Sequence, residues 1–75
     1  MKYQLSMLTG MEKLFYIFIR DNEKVELTDL YLFYGKDDAY ARRVLRRLLL
    51  KKLIKKSISK TNQRIKIFEI KTYID

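Results

Sequence analysis

The sequence predicts an α+β fold in which three helices precede a β-hairpin. Apolar residues recur about every 3.6 positions up to residue 53 and about every 2 positions beyond it. Gly35 separates two of the helical segments, where the chain needs a tight turn. At 75 residues the chain is expected to be one domain, 1–75, near the lower size limit for folding without staples.

The first helix places Met11, Leu14, Phe15 and Phe18 on one side and Lys13, Tyr16 and Arg20 on the other. Thr9 followed by Glu12 has the spacing of a capping box. Ser6 is a competing start, because Met7 and Leu8 extend the same apolar face. Residues 21–24 form a polar turn, and residues 25–27 alternate as a short strand would. Leu27, Leu30, Tyr31 and Tyr34 then share a face of the second helix, which Gly35 ends in a left-handed conformation. Asp37 or Asp38 caps the third helix, whose apolar stripe is Ala41, Val44, Leu45 and Leu48.

The hairpin begins with the alternation Ile54, Lys56, Ile58, turns through the polar tip 59–63 and returns along 64–70. In the returning run the apolar positions switch from odd (Ile65, Ile67) to even (Phe68, Ile70). That switch predicts a bulge or strong twist near Phe68.

Charge is concentrated in one segment. Residues 36–60 carry ten Lys and Arg against two Asp, a local net charge equal to the whole-chain value of +8. Such a patch makes a polyanion the expected partner, because cations bind phosphates partly by releasing condensed counterions. Nucleic acid leads, and an anionic membrane surface follows. The chain has no Cys and no His. Disulfides, the usual structural zinc ligands and the commonest nucleophile and base pairings are therefore excluded, and no cofactor is expected. The apolar run 14–19 is too short to span a bilayer and no targeting pattern is evident, so a cytoplasmic protein is expected.

The order helix, short helix, tight turn, long basic helix, hairpin carries a resemblance. Val25-Glu26-Leu27-Thr28-Asp29-Leu30, Tyr34-Gly35, residues 41–48 and Leu53-Ile54 resemble the winged helix-turn-helix DNA-binding domains of bacterial and archaeal transcription regulators, over roughly residues 9–70. Size and composition resemble the small regulators of archaeal plasmids and viruses. One departure is Lys52, which stands where such domains often have a glycine before the Leu-Ile pair that opens the wing.

The resemblance implies double-stranded DNA as partner, with the third helix in the major groove and the wing on the adjacent backbone or minor groove. Lys36, Tyr40, Arg43 and Arg47 fall in one stripe and are the base-reading candidates, arginine because its fork can donate twice to guanine. Tyr40 could stack, meet a thymine methyl, bond a phosphate, or simply pack on the second helix. Arg42, Arg46, Lys51, Lys55 and Lys56 suit phosphates, and Lys60, Thr61, Asn62, Gln63 and Arg64 form a tip able to enter a minor groove.

Asp37 and Asp38 read as helix caps ahead of a metal site or a cytosine reader, and Glu23, Glu26 and Asp29 as solvated surface. The aromatics Phe15, Phe18, Phe33, Tyr34 and Phe68 have the spacing of core residues ahead of that of a base-stacking platform. Leu32, Phe33 and Leu50 fall off the apolar stripes. With Tyr3, Leu5, Tyr73 and Ile74 they are candidate contacts of a homodimer. The leading function is a dimeric, sequence-specific transcription regulator. A non-specific architectural or RNA-binding protein and a protein-interaction module are the alternatives. An enzyme is disfavoured because no nucleophile, base and orienting group come together, and no small-molecule ligand is expected.

Overall fold

The computed structural model describes residues 4–62 and 64–74, and its elements follow the expected order. A single 3-10 turn, Leu5–Met7, leads into α1 (Gly10–Asn22), β1 (Val25–Glu26), α2 (Leu27–Phe33), α3 (Asp38–Leu50), β2 (Ile54–Ile58) and β3 (Lys66–Ile70). This is a winged-helix fold: α1 and α2 both pack on α3, and the β2–β3 hairpin packs against the helices.

The buried face of α1 is the expected one displaced by a single residue. Glu12, Phe15, Tyr16 and Ile19 are inside, whereas Leu14 is 43% exposed and Met11 and Phe18 are half-buried. Two side chains counted as polar cause the difference. Tyr16 buries its ring while its hydroxyl donates to the Thr72 carbonyl (2.9 Å) and accepts from the Ile74 N–H (3.0 Å). Glu12 is ion-paired with Lys51 and accepts from the Thr9 hydroxyl at 2.9 Å. Thr9 is the N-cap, but its side chain bonds the Glu12 carboxylate and no backbone amide, so the capping box is replaced by a side-chain contact.

Helices α2 and α3 form as their patterns require. The Glu26 N–H donates to Asp29 Oδ2 (3.0 Å), so Asp29 is a capping partner at the start of α2 and not free surface. At the other end Gly35 has φ +63, with the Lys36 N–H reaching the Tyr31 carbonyl (2.8 Å) and the Gly35 N–H the Leu32 carbonyl (3.3 Å). That is the Schellman arrangement, which favours glycine at its left-handed position. Phe15 and Tyr34 stack at 5.4 Å between centroids, and the Tyr34 hydroxyl donates to the Leu14 carbonyl. Burial, aided by Asp21, raises the pKa of that phenol. Phe15 and Phe68 are core, whereas Phe33 is 68% exposed.

The end of α3 repeats the Schellman motif without its glycine. The Leu53 N–H reaches the Leu48 carbonyl (3.1 Å), the Lys52 N–H reaches the Leu49 carbonyl (3.0 Å), and Lys52 takes φ +60. Leu48 and Leu53, the pair that packs across this motif, are both fully buried. The helix therefore stops where a glycine would stop it, with strain stored at Lys52.

Among the described residues three strands, and not the hairpin alone, make the sheet, in the order β1-β3-β2 with antiparallel neighbours. Val25 lies opposite Phe68, tying the segment between α1 and α2 to the wing. The register from Ile54↔Ile70 to Ile58↔Lys66 is unbroken, so the expected bulge is absent. The odd-to-even switch has a simpler cause: Phe68 and Ile70 belong to the face that meets the core, Ile67 to the opposite face, and Ile65 precedes the strand.

Candidate nucleic-acid interface

Helix α3 is aimed by its two ends. Asp37 Oδ1 accepts from the Tyr40 N–H at 2.7 Å, which caps the first turn, and Asp38 pairs with Arg42 at 3.4 Å one turn on. Both acids thus serve the helix, as capping and pairing groups. Ala41, Val44, Leu45 and Leu48 face inward, as expected. At 100° per residue the line opposite them runs through Ala39, Arg43, Arg46 and Leu50, all exposed.

Arg46 stands on the outward centreline beside Arg43. Arg47 and Tyr40 lie on the flank toward the start of α1, where they and Arg43 line a hollow with Thr9 and Gly10. Arg42 lies on the opposite flank, toward the wing. Tyr40 is half-buried, with Lys36 Nζ 5.3 Å and Arg43 Cζ 5.7 Å from its ring centroid, so the ring packs with two cations over it. Leu50, expected at a dimer contact, is exposed on the outward line of α3.

Between α3 and the wing runs a groove with an apolar floor, including Leu45, Leu49 and Phe68, and walls that carry the cations Arg42, Arg46, Lys56, Arg64 and Lys66 and one acid, Glu26. Lys66 was missed by sequence reasoning. Its even position, shared with Phe68, was the signal, since alternate residues of a strand share a face.

Two of the expected phosphate contacts are placed elsewhere. Lys51 turns into the molecule to meet Glu12 and is half-buried. Lys55 lies on the other face of β2 from Lys56, where Glu69 takes it at 3.5 Å and Lys24 at 3.9 Å. At the wing tip Lys60, Thr61, Asn62 and Arg64 are exposed. The Asn62 carboxamide oxygen accepts from the Arg64 N–H (3.0 Å), and the Thr61 hydroxyl lies 3.0 Å from that of Ser59, so both polar side chains shape the turn. Gln63, and Tyr3 of the proposed dimer set, lie outside the described residues.

Of the remaining dimer candidates, Leu32 (71%), Phe33 and Tyr73 are exposed, whereas Leu5 and Ile74 pack against the core and are removed from the set. Among the described residues no group of His, Cys, Asp and Glu side chains has the arrangement of a metal site, and no helix is long and apolar enough to cross a membrane.

No protein-family model and no curated protein sequence matches the chain. Solved structures do. MarR superposes with a TM-score of 0.80 at 26% identity over 88% of this chain and 47% of that one. A MarR mutant from E. coli, complexed with operator DNA, gives 0.83 at 20% identity over 91% and 50%. BpsR of Bordetella bronchiseptica, whose DNA binding is regulated by 6-hydroxynicotinic acid, gives 0.79 at 26% over 87% and 46%. The chain spans about half the length of each of these structures, and its fold is that of winged-helix transcription regulators of the MarR type.

Proposed function

We propose that the chain is a sequence-specific, double-stranded DNA-binding transcription regulator forming one domain over residues 1–75. The observation that carries this reading is the clustering of cations on both sides of one groove: Arg42 and Arg46 on α3, with Arg43 on the outward line beside them, and Lys56, Arg64 and Lys66 on the wing. A helix of this type enters the major groove, with Arg43 and Arg46 toward base edges. Lys36, Arg42, Arg47 and Lys56 then meet flanking phosphates, and Lys60, Thr61, Asn62 and Arg64 track the adjacent backbone or minor groove. Tyr40 holds Lys36 and Arg43 in place. The operator complex of the MarR mutant supports the reading, as that protein shares the fold.

No chemistry is needed: the mechanism is occlusion or recruitment at a promoter, in the cytoplasm, without a small-molecule effector. The protein acts as a homodimer on a two-fold symmetric site, with Leu32 and Phe33 of α2 as the contact. The narrower resemblance, to regulators of archaeal plasmids and viruses, rests on size and composition alone.

Selection from a random duplex library, then titration of the winner and a scrambled control across salt, tests the proposal. A symmetric winner with a large affinity ratio is the expected result. A steep salt slope with no winner would assign an architectural role, and no salt-sensitive binding would assign a protein-interaction role.

A further inference from the structure

We propose that Ala39 is a specificity-determining residue that reads the C5-methyl of a thymine, an inference that rests on the DNA-binding reading. Ala39 occupies the first turn of α3, which begins at Asp38, and leads the outward line Ala39, Arg43, Arg46, Leu50. The first residues of a groove-bound helix come nearest the base edges. Of the longer side chains near Ala39, Arg42 pairs with Asp38 at 3.4 Å, and Tyr40 is half-buried with Lys36 and Arg43 near its ring. Ala39 is itself exposed, and a methyl group is the whole of its side chain.

The chemistry of the groove then selects the partner. Base pairs present donors and acceptors along the major-groove edge, and the thymine methyl is the apolar group there. A methyl group with no hydrogen-bonding capacity gains nothing from the polar edges and buries apolar surface against thymine. Arg43 is four residues further along the same line, a rise of about 6 Å at 1.5 Å per residue. That distance is about two base steps of 3.4 Å. The thymine read by Ala39 therefore lies within about two base pairs of the guanine read by Arg43.

The test uses the selected duplex and a set of copies in which each thymine in turn is replaced by uracil, which removes only the methyl group. Wild-type protein is expected to lose about fourfold in affinity at one thymine near the arginine-read guanine, the worth of one buried methyl group. Ala39→Gly should bind the thymine duplex about fourfold more weakly and be indifferent to uracil at that position. Because glycine weakens a helix, Ala39→Gln supplies a second variant that suits a helix. It should shift the preferred base there from thymine to adenine in a repeated selection. No uracil-sensitive position in wild type, or an undiminished uracil penalty in Ala39→Gly, would overturn the inference while leaving specific DNA binding intact. Failure to bind any duplex would overturn both.

Discussion

Glu12 on α1 is 2% exposed and ion-paired with Lys51, the residue that follows α3, so the start of one helix is bolted to the end of another. Replacing Lys51 by Met leaves a buried carboxylate with only the Thr9 hydroxyl as partner. The expected cost is about 3 kcal/mol, because an unpaired buried charge loses more than the pair itself contributes. The double variant Glu12→Gln/Lys51→Met should recover most of that loss. Urea denaturation of both checks it: equal destabilisation by the single and double variants would contradict the assignment.

Lys52→Gly should stabilise the protein by about 1 kcal/mol, since only the left-handed backbone at φ +60 is relieved. For a domain of this size the melting temperature should rise by about 4–8 °C. The mirror experiment is Gly35→Ala, which should cost about 1 kcal/mol through backbone strain, because an added Cβ meets no atom within 4 Å.

Tyr16→Phe keeps the buried ring and removes both hydroxyl bonds to the segment after β3. A loss of about 1–2 kcal/mol is expected. Amide exchange locates it: protection at the Ile74 N–H should fall while protection in α3 is scaled only by global stability. Unchanged protection at Ile74 would mean that the hydroxyl does not fasten this segment.

Three classes of cation should separate on DNA. Arg43→Ala and Arg46→Ala should reduce discrimination between the selected and scrambled duplexes by about 1–3 kcal/mol. Arg47→Ala and Lys56→Ala should weaken both duplexes alike and lower the salt slope by about one. Lys55→Ala should do little, because Lys55 faces Glu69 on the other side of β2. Equal losses on both duplexes for Arg46→Ala would return that residue to the phosphate group.

The extent to which the sequence foretold the structure follows the range of the interactions involved. Helices α2 and α3 were legible because their signals are local: a stripe at helical spacing, Asp37 before it and Gly35 between them. The face of α1 was displaced by one residue because Glu12 and Tyr16 are admitted to the core by partners 39 and 56 residues away, which no window of sequence displays. Pairing of β1 with β3 was hidden for the same reason. On the cationic face the residue types were legible and their directions were not. Lys55 and Lys56 are indistinguishable by composition, yet strand alternation sends one to Glu69 and the other to the groove.

Among the described residues the strand order leaves β2 as an open edge, with outward backbone groups along Ile54–Ile58 and an exposed Ile58 at its end. Such an edge is a template for a strand from another molecule, and adjacent lysines are a common obstacle to that stacking. Lys55 and Lys56 are adjacent lysines on this edge. Neutralising the wing, by mutation or by acetylation of these lysines, would lower the barrier to self-association of the hairpin.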